Sequence, residues 1–186
     1  MAVELKRFRF SRVDYHQLAK VGILKPEARV ELIDGEILEM SPIGRRHKIS
    51  VNRLTDIFAP RLHGAAIVQV QSSIALGEFG EPEPDVVLLR FRADFYAESD
   101  ETPEDVLLIV EVADSSEAYD RRVKGPLYAR FGIPDYWLID LNRDLVTVYR
   151  DPTPDRYATS RVFRRGESVS PLAFPELTVA VDDILG

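Results

Sequence analysis

Cysteine is absent from the 186 residues, which excludes disulfide scaffolds, thiolate zinc or iron–sulfur sites and cysteine nucleophiles. Histidine is scarce, with three residues, so nitrogen ligands are few. No apolar run approaches the roughly 20 residues a membrane helix needs, and the opening MAVELKRFRF lacks the apolar stretch of a secretory leader. The expectation is a cytoplasmic protein with no membrane partner. Repeats and low-complexity tracts are missing too, which argues against a solenoid and for one domain over 1–186. The glycines are scattered rather than gathered into a phosphate-cradling loop, and Gly-x-Ser-x-Gly does not occur, so nucleoside triphosphate binding and serine hydrolysis have no support.

What is present is 45% apolar and 30% charged, enough to bury a sizeable core. The net charge of −7, from 24 basic and 31 acidic residues, excludes a broadly basic protein that coats nucleic acid. That acidity is local. Residues 78–105 hold ten acids against two bases, so the rest of the chain is close to neutral, and Arg45, Arg46, Lys48, Arg53, Arg121 and Arg122 fall on two expected helices.

Ser11 and Asp14 mark a helix start, with Tyr15, Leu18 and Ala19 on one face over about residues 12–21. Val30–Ile33, Asp34-Gly35 and Ile37–Met40 form the apolar, DG, apolar arrangement of a tight hairpin. Ile49, Leu54, Ile57 and Phe58 recur at helical spacing within a longer helix that ends around Pro60. Residues 66–76, 85–90 and 105–113 then read as strands, the last apolar enough to be central. A helix over 116–131 follows, closed by Gly132 and kinked or split at Gly125-Pro126. Strands at 135–140, 145–150, 156–163 and 167–170 and a terminal helical turn complete the chain. The order predicts an α/β (α+β) fold with a core at about 45–140, a mixed central sheet flanked by helices. A helix and hairpin (11–40) precede the core, and a β extension (145–186) follows it.

The sharpest anomaly is Glu111 inside Leu107-Leu108-Ile109-Val110-Glu111-Val112, since a buried unpaired carboxylate costs several kcal/mol. Asp85 opens a neighbouring strand after Pro84, and a hairpin-like pairing brings it beside Glu111. Two converging carboxylates suit a hard cation such as magnesium, manganese or calcium. The bland alternative is an outward-facing Glu111, or one paired with an arginine. Asp120, Lys124 and Tyr128 are four apart on the next helix, where the Lys124 ammonium can stabilise charge on a phosphoryl group or form only a surface pair with Asp120.

Several segments carry a family resemblance. They are Glu83-Pro84-Asp85, Glu111 with Val112-Ala113-Asp114-Ser115, then Asp120, Lys124, Tyr128, and Phe131-Gly132-Ile133-Pro134-Asp135-Tyr136-Trp137-Leu138-Ile139-Asp140. Upstream stand Glu31-Leu32-Ile33-Asp34-Gly35-Glu36, Met40-Ser41-Pro42 and His47. In this order they resemble the Uma-type restriction endonuclease family of the PD-(D/E)XK nuclease superfamily, over roughly 30–140. The resemblance implies a restriction-endonuclease-like core and cleavage of phosphodiester bonds dependent on Mg2+ or Mn2+. It makes Asp85 and Glu111 the metal ligands and Lys124 the charge-stabilising or water-orienting group. The superfamily's lysine two residues after Glu111 is replaced by Ala113, and Lys124 stands in its stead from the next helix. Glu31 and His47 match family positions at the mouth of the site, Glu31 as a further carboxylate and His47 as a phosphate contact or a helix-start residue.

The resulting expectation is an endonuclease acting on DNA, binding it weakly and with help from the metal. Two-strand cleavage favours a homo-oligomer. The alternatives are a catalytically inactive nuclease-like module that binds nucleic acid or protein, and a hydrolase of smaller phosphate esters.

Overall fold

A computed structural model describes residues 7–25 and 27–186; residues 1–6 of the opening segment lie outside the described residues. Packing divides the chain into two compact units. One takes the chain as far as Ser41 together with Ser73–Glu83, and the other comprises Pro42–Ser72 and Pro84–Gly186.

In the smaller unit, α1 (Arg12–Lys20) starts on a capping box: the Ser11 hydroxyl accepts the Asp14 N–H while the Asp14 carboxylate accepts the Ser11 N–H. Strands β1 (Val30–Ile33) and β2 (Glu36–Glu39) pair antiparallel across Asp34 and Gly35, both at positive φ (51° and 82°), as the DG signal predicts. Gly35 is required twice over, because a Cβ there would lie 2.6 Å from the Arg9 Cβ. The returning segment joins the hairpin through reciprocal backbone bonds between Leu32 and Glu81. The Glu81 carboxylate, buried at 6% exposure, is held by Arg12 and His16, each at 2.9 Å.

In the larger unit, six strands form one sheet in chain order. They are β3 (Ala66–Val70), β4 (Val86–Arg90), β5 (Val106–Ala113), β6 (Asp135–Asp140), β7 (Leu145–Pro152) and β8 (Tyr157–Arg164). Every neighbouring pair is antiparallel except β5–β6, which is parallel and needs the helical crossover that the sequence places between them. Helix α2 (Arg45–Arg61) sets Val51, Leu54 and Phe58 against Val86, Leu88, Val110, Val112, Trp137 and Ile139. Alternation then sends Glu111, Tyr136 and Leu138 to the opposite face, that of the crossover. A second small sheet, β9 (Ser168–Val169) with β10 (Val179–Ala180), leads into the terminal helix α5 (Val181–Leu185).

Two elements differ from the sequence reading. The strand expected over 66–76 ends at Val70, because Gln71 adopts a left-handed φ of 46° that a continuing ladder does not accommodate. The helix expected over 116–131 is a single turn α3 (Glu117–Tyr119), a π-helical turn (Asp120–Lys124) and α4 (Gly125–Arg130). Pro126 has no N–H to continue the α ladder, and the Gly125 N–H reaches back five residues to the Asp120 carbonyl. Gly132, at φ 73°, closes the segment as expected. Among the described residues no helix is long and apolar enough to cross a membrane.

Trp137 is fully buried, with its ring centroid 6.1 Å from that of Phe58 and its indole N–H donated to Asp135. Trp137→Ala is expected to cost about 3–5 kcal/mol in urea unfolding, whereas Leu172→Ala, on a half-exposed side chain, stays within about 0.5 kcal/mol. Gly22 shares a positive φ of 78° but has open space around it. Gly22→Ala should therefore cost only the left-handed conformation, about 1–2 kcal/mol, and Gly35→Ala distinctly more by the same measurement.

Candidate functional site

The site grows out of the β4–β5 register. Val86 pairs with Val110, so Asp85, one residue before β4, falls across from Glu111 in the register. Both carboxylates are buried, at 8% and 3% exposure. Asp85 Oδ2 accepts the Val112 backbone N–H at 2.8 Å, which fixes the side chain to the strand that carries Glu111. The same oxygen lies 3.0 Å from His47 Nε2, and Gln71 Nε2 stands 3.4 Å from Oδ1.

His47 reaches Asp85 because it lies in the first turn of α2, whose N-cap is Gly44. Its Nδ1 is buried and has no hydrogen-bond partner among the described residues. Helix starts point backbone N–H groups and positive dipole outward, which suits the neighbourhood of a carboxylate or a phosphate.

Glu111 is compensated from the crossover. Its Oε1 accepts from Lys124 Nζ at 3.0 Å and from the Tyr128 hydroxyl at 2.5 Å, and all three side chains are buried. The outward-facing and arginine-paired alternatives for Glu111 therefore fail, and so does a surface role for Lys124, which is 4% exposed. Asp120, also buried, accepts the Ser116 hydroxyl at 2.5 Å, and its backbone carbonyl takes the Tyr136 hydroxyl at 3.2 Å. Burial, and then the charges of Asp120 and Glu111, push the Tyr136 hydroxyl well above the usual tyrosine range, so it remains a donor at all ordinary pH.

The larger unit thus holds Asp85 against His47 and Glu111 against Lys124, with Asp85 and Glu111 across from each other in the register. Glu31 belongs to the smaller unit, where it is buried at 3% exposure and accepts the Glu83 backbone N–H at 3.3 Å. Two contributors carried no assignment in the sequence: Tyr128, whose spacing of four from Lys124 was the available signal, and Gln71, for which there was none. The basic helices are less open to phosphate than their composition suggests. Arg46 bonds the Leu141 carbonyl and Asn142 and approaches Asp114 at 3.6 Å, and Arg121 pairs with Glu117 at 2.8 Å.

As a metal site the donor set is two hard carboxylates. Among the described residues no group of three acidic or histidine side chains is gathered. Two carboxylates nonetheless fit magnesium or manganese, because such ions keep several waters and complete their shell with substrate phosphate rather than with an all-protein cage.

The chain is similar to known proteins in two ways. A solved structure from Anabaena variabilis ATCC 29413, described as a putative nuclease belonging to DUF820, superposes with a TM-score of 0.72 at 18% identity. The match covers 95% of this chain and 97% of that one and establishes a shared fold. No curated protein matches. The family model for Uma2, whose description reads "Putative restriction endonuclease", matches residues 12–182. Spanning both the Asp85–Glu111 pair and the Lys124 crossover, that match places the chain in the Uma2 family.

Proposed function

We propose that the chain is a divalent-metal-dependent endonuclease that hydrolyses phosphodiester bonds of DNA. The observation that carries this reading is the register that sets Asp85, one residue before β4, across from Glu111 of β5, with a buried lysine against Glu111. Magnesium or manganese held by the two carboxylates supplies Lewis-acid polarisation of the phosphate and lowers the pKa of water. Lys124 stabilises the charge that develops on the phosphoryl oxygens. His47 orients Asp85 through its Nε2, and the Val112 N–H fixes the same carboxylate oxygen. The substrate is DNA bound weakly, because the net charge of −7 opposes a broad phosphate contact and the metal supplies much of the attraction. Cleavage of both strands calls for a homodimer or a higher assembly.

A second reading has an observation of its own. Glu111 is already neutralised by Lys124 and Tyr128, as in a structural ion pair, so a non-catalytic nuclease-like module that binds nucleic acid or protein is the alternative. Calorimetric titration with Mn2+ separates the two, since only the nuclease needs a cation site that Asp85→Ala removes.

Nicking of supercoiled plasmid in Mg2+ or Mn2+ tests the main proposal. Asp85→Ala and Glu111→Gln are expected to lower the rate at least about a hundredfold with circular dichroism unchanged, and chelation should abolish it in the wild type. Undiminished cleavage by both variants would falsify the assignment. Lys124→Met should reduce the rate by about 10²–10³ while leaving Mn2+ binding intact, which separates charge stabilisation from metal ligation.

A further inference from the structure

Glu111 is held by two donors on one oxygen, and they differ in what they can do. Lys124 Nζ, at 3.0 Å, sits at the end of a flexible stem. The Tyr128 hydroxyl, at 2.5 Å, sits on a rigid ring that is fully buried. That ring meets Tyr136 edge to face, with centroids 5.2 Å apart and planes at 67°. Tyr136 in turn donates to the Asp120 carbonyl, the acceptor of the Gly125 N–H that closes the π-helical turn. The turn delivers Lys124, and α4 delivers Tyr128 one helical turn later, so both side chains reach the same face. A π-helical turn is uncommon and is often found where side chains must be re-aimed at a functional group.

We propose that Tyr128 is the positioning residue for Glu111. Its hydroxyl fixes the rotamer in which the carboxylate serves a divalent cation, and it retains Glu111 when the Lys124 ammonium turns to a phosphoryl oxygen. The inference rests on the reading of Asp85 and Glu111 as a metal pair. The physical need is plain: an ammonium cannot both neutralise a buried carboxylate and serve the phosphate, and a carboxylate left without a donor in a dry site is strongly disfavoured. A neutral phenol supplies the donor without competing with the cation as a second positive charge would. Partners of ligating carboxylates outside the metal's own shell are known to matter at this level, and their loss weakens metal binding or activity by about 10–100-fold.

The test uses the full chain and Mn2+ as the probe, with calorimetric affinity and thermal melting as readouts beside nicking. The wild type is expected to bind Mn2+, Asp85→Ala to lose binding, and Tyr128→Phe to bind about 10–100-fold more weakly while still melting cooperatively. 3-Fluorotyrosine at position 128, whose hydroxyl is a stronger donor, is expected to bind Mn2+ with an affinity measurably shifted from that of the wild type. Wild-type affinity in Tyr128→Phe, with only its melting temperature lowered, overturns the positioning role and leaves the metal pair standing. Failure of the wild type to bind Mn2+ overturns the metal pair and the positioning role together. Should Tyr128→Phe not fold, the fluorotyrosine protein decides alone, because its hydroxyl is a stronger donor: a shifted Mn2+ affinity supports the role and an unchanged one overturns it.

Discussion

A carboxylate in the middle of a strand buried on both faces constrains everything near it. Glu111 lies in β5, and seven of the eight residues of that strand are buried. Its charge is tolerable only if donors arrive from the element that covers its face. The crossover between β5 and β6 meets that need with Lys124 and Tyr128, and it does so through an irregular helix. Pro126 and the π-helical turn, which would weaken a helix chosen for stability alone, are thereby explained as the means of aiming two side chains at one oxygen.

Asp85 follows a complementary logic. It stands just outside β4, where the strand ladder no longer dictates its partners, and it is fixed by a backbone N–H of β5 and by a histidine from the start of α2. The two acids are therefore supported from opposite faces of the sheet: Asp85 from the helix that packs on the Val110, Val112 and Trp137 face, Glu111 from the crossover. β5 and the residue that precedes β4 supply the pair, and flanking helices supply the groups that hold it, an arrangement that keeps the buried carboxylates on rigid elements.

The charge distribution gains meaning from this geometry. The acidic excess over 78–105 includes Asp85, and Glu81 in the same stretch is paired with Arg12 inside the smaller unit and lies within hydrogen-bond reach of His16. Two bases, one on α2 and one on the crossover, are likewise engaged within the fold, Arg46 with Asp114 and its neighbours and Arg121 with Glu117. Net charge counted from composition thus overstates both the acidity and the basicity that a ligand meets.

The sequence by itself determined the elements whose signals are local. The Ser11 and Asp14 cap, the Asp34-Gly35 turn, the amphipathic α2, the apolar β5 and β6 and the stop at Gly132 all arise from neighbours within a few residues. It also singled out Asp85 and Glu111, because a charge in an apolar run is conspicuous without any coordinates, and Lys124, through its spacing from Asp120 and Tyr128 and the family resemblance. Only the tertiary structure decided who compensates whom. That Lys124 faces Glu111 depends on the angular phase set by the π-helical turn, that Tyr128 shares the oxygen depends on α4 packing on β6, and that His47 meets Asp85 depends on how α2 crosses the sheet. These are partners 13 to 38 residues apart, and no periodicity in a single segment encodes an encounter between two of them. The early end of β3 at Gln71 was hidden for a related reason, since a positive φ on glutamine is imposed by the surrounding fold and not by its own preference.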